Sequence, residues 1–158
     1  MRLIALPLCA IALVACSKSE SSAGKDTAAA AAATPVAAAP AKLALADVAG
    51  KWNVKATNQA GDTTLLTYVL TATADTTGWN IQFADRKTPV AAHVVADADS
   101  LIIDSGPYSS ALRKNVQVTN HGSLHMQNGM LVGMTTAHYS VKTADSVRVI
   151  KMEATRMP

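Results

Sequence analysis

Polar and apolar residues alternate over short runs along most of this chain, from Leu43 to its end. Alternation with a period of two predicts β-strands that have one buried face and one exposed face. Turn-forming residues recur between the runs, and Asn128-Gly129 is the strongest of these hairpin signals. The pattern predicts eight strands, at residues 51–57, 63–74, 78–84, 89–96, 100–105, 115–127, 130–141 and 146–156.

Within these strands, large apolar residues occupy alternate positions, so they fall on one face of the sheet. The residues assigned to that buried face are Trp52, Val54, Ala56, Leu66, Tyr68, Leu70, Ala72, Trp79, Ile81, Phe83, Leu101 and Ile103. Eight short antiparallel strands joined by tight turns form either an up-and-down barrel or a two-sheet sandwich. We predict the barrel, an all-β fold over residues 43–158, because closure removes the exposed edges of a small sheet.

The segment before the barrel has a different composition. Residues 17–42 comprise 26 residues, 11 of them alanine, with two prolines and a single branched apolar residue, Val36. Such a segment has too little apolar surface to build a core. We predict a disordered tether here, with a mean reach of roughly 25–30 Å for a flexible chain of this length.

The first fifteen residues have the pattern of an export signal. Arg2 precedes an unbroken apolar run, Leu3 to Ala15, whose 13 residues fall short of the roughly 20 needed to span a bilayer as a helix. Leu13-Val14-Ala15-Cys16 resembles the lipobox of bacterial lipoproteins. The alternative is an ordinary secretory signal followed by an incidental cysteine.

The lipobox resemblance has consequences for location. It implies that residues 1–15 are removed and that Cys16, which begins the linker 16–42, carries a diacylglycerol and a further acyl chain, such as palmitate. Three acyl chains would hold the protein on a membrane almost permanently. Ser17 stands where an aspartate would imply retention at the inner membrane. We therefore expect a lipid-anchored protein of the cell envelope, at the outer membrane and facing the periplasm.

Cysteine content and charge narrow the possible functions. Cys16 is the only cysteine after the predicted signal, so the domain has neither a disulfide nor a thiol nucleophile. From Leu43 to Pro158 the chain has 10 Lys and Arg against 9 Asp and Glu, a net charge of +1. The clustered basic face that nucleic-acid binding requires is not visible, so we expect no nucleic-acid partner.

Asp47-Val48-Ala49-Gly50-Lys51-Trp52 resembles the Gly-x-Trp entry of the calycin superfamily, which includes lipocalins, fatty-acid-binding proteins and avidins. The resemblance implies a short turn of helix that closes the floor of the barrel, with Gly50 and Trp52 at that end. It also implies that Arg156, in the last strand, covers the Trp52 indole. The chain departs from the lipocalin pattern in lacking a Thr-Asp-Tyr motif, a C-terminal helix and a disulfide pair.

No catalytic motif stands out in the sequence. It contains no Gly-x-Ser-x-Gly, no His-Glu-x-x-His and no glycine-rich phosphate loop, so we expect a protein that is not an enzyme and needs no cofactor. His121 and His125 are four residues apart, which separates them by roughly 13 Å on a strand. We therefore interpret them as exposed strand residues and predict no metal site.

An eight-stranded barrel encloses space either for side chains alone or for one small ligand. If the interior is open, the candidate ligand-lining residues are Leu66, Tyr68, Trp79, Phe83 and Tyr108. The first hypothesis for function is therefore a non-catalytic barrel that binds a small apolar or amphiphilic molecule. The second is an interaction or structural lipoprotein with a filled barrel, and the third is an enzyme of unrecognised type.

The segment Ser105–Lys114 carries the only Gly-Pro pair of the chain, followed by Tyr108 and two adjacent cations. Ser105-Gly106-Pro107-Tyr108 resembles the Ser-Gly-x-x-Tyr-like loop that membrane-bound inhibitors of c-type lysozyme present to the enzyme, although it is one residue shorter and the cysteine of that family is missing. The resemblance implies an envelope protein as partner. The alternative is that Gly106–Lys114 is a solvated connector between strands.

Overall fold

The structure, a computed structural model, describes residues 42–158. The predicted signal, the predicted lipidation site at Cys16 and almost all of the predicted tether lie outside the described residues. None of the helices in the described part is long and apolar enough to cross a membrane.

The domain is a closed antiparallel barrel in which each strand pairs with the next and the eighth pairs with the first. The predicted all-β, up-and-down barrel is therefore confirmed, and the sandwich alternative is excluded. The elements are α1 (Leu45–Val48), β1 (Gly50–Asn58), β2 (Thr64–Ala72), β3 (Asn80–Phe83), β4 (Val90–Asp97), β5 (Ser100–Ser109), β6 (Gln117–Gln127), β7 (Met130–Tyr139) and β8 (Val147–Arg156).

Strand order gives the barrel two different ends. We call one end the floor: it holds α1, the start of β1, the end of β8 and the connections β2–β3, β4–β5 and β6–β7. We call the other end the mouth: it holds the connections β1–β2, β3–β4, β5–β6 and β7–β8. The described chain enters at the floor, where the Leu43 N–H donates to the Ala98 carbonyl oxygen at 2.9 Å.

Alternation along the strands places the core inside the barrel. In β1, for example, Trp52, Val54 and Ala56 are buried, whereas Lys51 and Lys55 are exposed. Most residues assigned to the buried face are indeed buried, and Leu66 and Tyr68, nearer the mouth, are partly buried. Successive side chains of a pleated strand point to opposite faces, so the alternating sequence pattern produces one continuous apolar core.

Seven strands begin and end within two residues of their predicted limits, and β5 ends four residues later than predicted. β3 spans only Asn80–Phe83 and shares two residue pairs with β4. β5 continues to Ser109, beyond the predicted end at Ser105, with a register shift against β6 between Ser105 and Tyr108. Pro107 is tolerated because this part of β5 pairs with β6 alone, so its missing N–H breaks no ladder on the β4 side. The interpretation of Gly106–Lys114 as a connector is therefore wrong for its first residues.

Candidate functional site

The floor is sealed by an indole and a guanidinium. Trp52 is fully buried, and its indole N–H donates to the Val48 carbonyl oxygen of α1 at 2.8 Å. The guanidinium carbon of Arg156 lies 4.5 Å from the centre of the Trp52 ring. The same guanidinium donates to the carbonyl oxygens of Ala49 and Asp47, the latter at 2.6 Å. These bonds tie the end of β8 to the turn that precedes β1.

Gly50 makes room for this arrangement. Its φ of +136° is one that L side chains rarely adopt, and a Cβ there would lie 2.9 Å from Nη1 of Arg156. The glycine therefore leaves space for the arginine side chain that crosses the floor.

A cavity of about 60 Å³ lies in the half of the barrel nearer the mouth. Four of the five predicted ligand-lining residues contribute to its wall: Leu66, Tyr68, Phe83 and Tyr108. The remaining wall residues are Ala56, Leu70, Ile81, Ile103, Ser105, Ser110, Ala111, Leu112, Val118, Asn120, Gly122, Leu124, Thr135, Ala137, Tyr139, Ile150 and Met152. The space would admit about two water molecules at the volume that water has in the liquid.

The fifth predicted lining residue, Trp79, is placed elsewhere. It follows the β2–β3 connection at the floor, is 1% exposed, and donates its indole N–H to the Asp75 carbonyl oxygen at 2.7 Å. Alternation assigned it correctly to the interior, but its position along the barrel axis separates it from the cavity. Its role in this geometry is packing at the floor.

Three aromatic rings form a continuous part of the cavity wall. The ring centres of Tyr68 and Phe83 are 5.3 Å apart, and those of Phe83 and Tyr108 are 5.7 Å apart, all in tilted arrangements. Such offset contacts are the favourable geometry for aromatic pairs. The three residues come from β2, β3 and β5, so only the closed barrel brings them together.

The polar groups in the wall are uncharged, and those of Tyr68, Tyr108 and Asn120 have partners inside the barrel. The Tyr68 hydroxyl donates to the sulfur of Met152 at 3.2 Å, and burial raises the pKa of this phenol well above its usual value. The Asn120 amide donates to the Tyr108 hydroxyl at 2.6 Å and approaches Ser105 Oγ at 3.4 Å. Burial also raises the pKa of Tyr108. Both phenols therefore stay neutral at physiological pH.

Sequence reasoning missed several wall residues, including Asn120 and Met152. Asn120 occupies the same strand face as Val118 and Leu124 of β6, so alternation alone could have placed it inside. It was overlooked because a polar residue at an inward position does not strengthen the apolar pattern. Met152 follows the same rule in β8, where Ile150 and Ala154 are also buried.

The β5–β6 connection closes the mouth over the cavity. We call Ser110–Val116 the lid segment; its Ala111 and Leu112 line the cavity from above. The Ser110 hydroxyl accepts from the backbone N–H groups of Leu112 and Arg113, both at 3.0 Å. The Ser110 N–H donates to the Val116 carbonyl oxygen at 2.7 Å. The lid segment is thus a small, internally bonded loop rather than an extended connector.

Two arginines lie at the rim of the mouth. The guanidinium carbon of Arg86 is 5.1 Å from the ring centres of both Phe83 and Tyr108, and this side chain donates to the Ser109 carbonyl oxygen. The guanidinium carbon of Arg113 is 4.3 Å from the Tyr139 ring centre. Each arginine therefore covers an aromatic residue of the cavity wall from the solvent side.

Arg113 also pairs with Asp145 of the β7–β8 connection. Hydrogen bonds from the Thr143 hydroxyl and from Arg113 lower the pKa of the Asp145 carboxyl group. Arg86 has a weaker acidic neighbour, with Nε 3.9 Å from an oxygen of Asp85. The positive charge of Arg86 is accordingly less compensated than that of Arg113.

The histidines lie on the outer surface. His121 and His125 are exposed on β6, and His121 Nδ1 is 2.7 Å from an oxygen of Asp104. Within residues 42–158, no group of three or more His, Cys, Asp or Glu side chains is placed to hold a metal ion. The arrangement around His121 is an exposed cross-strand pair.

No protein-family model, curated protein or solved structure matches this chain. A binding role for the barrel therefore has to be inferred from its geometry.

Proposed function

We propose that this chain is a non-catalytic envelope lipoprotein whose barrel binds the apolar part of a small amphiphilic molecule in the cavity below the mouth. The observation that supports the binding role is the wall of that cavity, which combines aliphatic residues with the connected rings of Tyr68, Phe83 and Tyr108. Ligand sites are typically concave, mostly apolar and provided with a few oriented polar groups. The hydroxyl of Tyr108 and the amide of Asn120 are such groups.

The chemistry of the wall favours binding over catalysis. Its polar members are hydroxyl, amide and thioether groups, and the two phenols have raised pKa values. General acid–base catalysis needs a group that titrates near the working pH and reaches the reacting atom. The described residues of this cavity offer no such pair of groups.

Cavity size sets a condition on ligand entry. About 60 Å³ is well below the roughly 300–1,000 Å³ of pockets that hold drug-sized ligands. A bound chain would occupy the space that Leu112 now fills, so binding requires the lid segment to move outward. The lid is suited to such movement because its side chains contact the barrel through the half-buried Leu112 and Val116 and the partly exposed Arg113 rather than through a strand ladder.

The small cavity also supports an alternative function. A barrel that is almost filled by its own side chains is compatible with an interaction or structural lipoprotein that binds no small molecule. The lysozyme-inhibitor version of this alternative is less well supported, because Tyr108 faces the cavity and bonds to Asn120 instead of projecting from an exposed loop.

The anchoring part of the proposal rests on the lipobox at Leu13-Val14-Ala15-Cys16. Lipid attached at Cys16 would hold the protein at the membrane, in our proposal the outer membrane on its periplasmic side. We expect the wild-type chain to incorporate radioactive palmitate in its host and the Cys16→Ala variant to remain unlabelled. Equal labelling of the two chains would show that Cys16 is not the lipidation site.

Native mass spectrometry of the protein purified from its own host tests the binding role. We expect a bound small molecule, released when the barrel unfolds and absent from a Tyr108→Trp variant, whose larger ring would fill the cavity. A wild-type mass that matches the processed lipoprotein alone, under conditions that preserve a known complex, would favour the filled-barrel alternative.

A further inference from the structure

The barrel separates its charges between its two ends. When the two nearest residues of each adjoining strand are counted with the connections, the mouth carries six basic residues and three acidic ones, and the floor carries three basic residues and four acidic ones. At the mouth these are Arg86, Lys87, Arg113, Lys114, Lys142 and Arg148 against Asp62, Asp85 and Asp145. At the floor they are Lys42, Lys51 and Arg156 against Asp47, Asp75, Asp97 and Asp99. The cavity therefore lies nearer the positively charged end.

The cavity wall itself contains no Lys, Arg, Asp, Glu or His among the described residues. Burial of a charged group without a partner is costly. A ligand with a charged head could thus place its uncharged tail against the Tyr68 and Phe83 rings, but it would have to leave the head at the mouth. The mouth then favours a ligand whose head has the opposite charge to the mouth.

Arg86 is the group best placed to hold such a head. It lies on the solvent side of Phe83 and Tyr108, at 5.1 Å from each ring centre, so it marks the boundary between the apolar wall and water. Its side chain is 20% exposed, and its acidic neighbour Asp85 is 3.9 Å away. Planar guanidinium groups pair well with carboxylate, sulfate and phosphate oxygens.

We infer that the amphiphile bound by this barrel has an anionic head, held at the mouth by Arg86 while its apolar tail enters the cavity. This inference rests on the proposed binding function and names the ligand class for that site. Arg113, within the lid segment, is a second donor, but it is already paired with Asp145. The anion would compete with that carboxylate, so Arg113 contributes less than Arg86.

Three probes with the same eight-carbon tail test the inference: octyl sulfate, octanol and octyltrimethylammonium. The lipidated full-length protein is placed in phosphatidylcholine nanodiscs, and each probe is titrated as free concentration. Methyl NMR of the methionines reports binding, because Met152 lines the cavity whereas Met134 is 38% exposed on the outer face. We expect octyl sulfate to shift the Met152 signal at about tenfold lower concentration than the other two probes and to leave Met134 unchanged.

Two charge-removing variants assign the effect to the mouth. Arg86→Gln should weaken the binding of octyl sulfate about tenfold and leave that of octanol unchanged. Arg86→Lys, which keeps the charge, should restore most of the affinity. Lys51→Gln removes the same charge at the floor, where Lys51 is exposed, and should bind all three probes like the wild type.

The outcomes separate the inference from the proposed function on which it rests. If the three probes bind equally well at Met152, or if Lys51→Gln weakens octyl sulfate as much as Arg86→Gln does, the inferred anionic head is wrong although the cavity binds amphiphiles. If none of the probes shifts Met152, the binding function itself is wrong. A preference for octyltrimethylammonium would reverse the sign that we infer.

Discussion

Both ends of this barrel carry arginines stacked on aromatic rings, yet the two ends differ in what lies beneath the rings. At the floor, Arg156 covers Trp52, an indole that is fully buried and bonded to Val48. At the mouth, Arg86 and Arg113 cover rings that border a cavity. The same kind of contact seals one end and borders a cavity at the other.

Arg156 and Arg113 differ in the neighbours of their guanidinium groups. Arg156 donates to two backbone carbonyl oxygens, those of Ala49 and Asp47, which are fixed by the turn before β1. Arg113 instead pairs with Asp145, an exposed side chain in a loop. A guanidinium bonded to a fixed backbone rigidifies its surroundings, whereas an exposed ion pair contributes little and can exchange partners. A cation–π contact is therefore not sufficient evidence for a structural role.

The largest expected effect is at the floor. Trp52→Ala should lower the free energy of unfolding by ~3–5 kcal/mol, because it removes a fully buried indole and leaves a cavity. Urea unfolding followed by circular dichroism measures this loss. Lys55→Ala, in the same strand but exposed, is the control and should stay within about 0.5 kcal/mol of the wild type. A loss below about 1 kcal/mol for Trp52→Ala would mean that the floor does not depend on this residue.

The second effect concerns the partner of that indole. Arg156→Ala should cost ~1–2 kcal/mol through lost stacking and lost bonds to the backbone. The Trp52→Ala, Arg156→Ala double variant should lose less than the sum of the single losses, because both changes remove the same contact. Additive losses within error would show that the two side chains are energetically independent.

At the mouth, Leu112→Ala should cost only about 1 kcal/mol, less than the 2–5 kcal/mol of a fully buried leucine. Leu112 is partly buried and borders an existing cavity, so its removal creates little new buried surface. Urea unfolding measures the loss, and Leu124→Ala, which truncates a leucine that is 1% exposed, is the matched comparison. Equal losses for the two variants would contradict the picture of a lightly held lid segment.

The smallest effect is a pH dependence at the same end. The folded pKa of Asp145 is lowered from 3.8 by Thr143 and Arg113, so its ionised form stabilises the folded state above that value. This stabilisation is lost as the pH falls through the lowered folded pKa. Stability curves of the wild type and Asp145→Asn should therefore differ near pH 6 and converge in strong acid. Curves that stay parallel over the whole pH range would mean that the ion pair of Asp145 with Arg113 does not contribute to the stability.

Much of the fold was accessible from the sequence, since every one of the eight predicted strands exists and alternation gave the correct inward face. The predicted strand limits were less accurate where a residue is compatible with either a turn or a strand. Gly106-Pro107 predicted the end of a strand, but β5 passes through this pair with a register shift because its β4 side has no partner there. The local preference of a residue for a strand or a turn does not reveal whether a neighbouring strand is present.

The candidate site was predicted only in part. Leu66, Tyr68, Phe83 and Tyr108 line the cavity, whereas Trp79 packs at the floor. Alternation specifies whether a side chain points inward, but not its height along the barrel axis relative to residues of other strands. That height depends on the stagger between paired strands, which follows from closure of the barrel.

The sequence by itself determined the alternation that makes eight amphipathic strands, because that pattern follows from the local geometry of each strand. It also determined the turn at Asn128-Gly129, where both residues have positive φ, and the Gly50 and Trp52 signature at the floor. Only the tertiary structure decided the volume of the cavity, since that volume is the space left over by side chains from seven strands and the lid segment. Only the up-and-down order of the strands placed the basic turns at one end of the barrel. These turns are far apart in a nearly neutral chain, and they become neighbours when the strands close into a barrel.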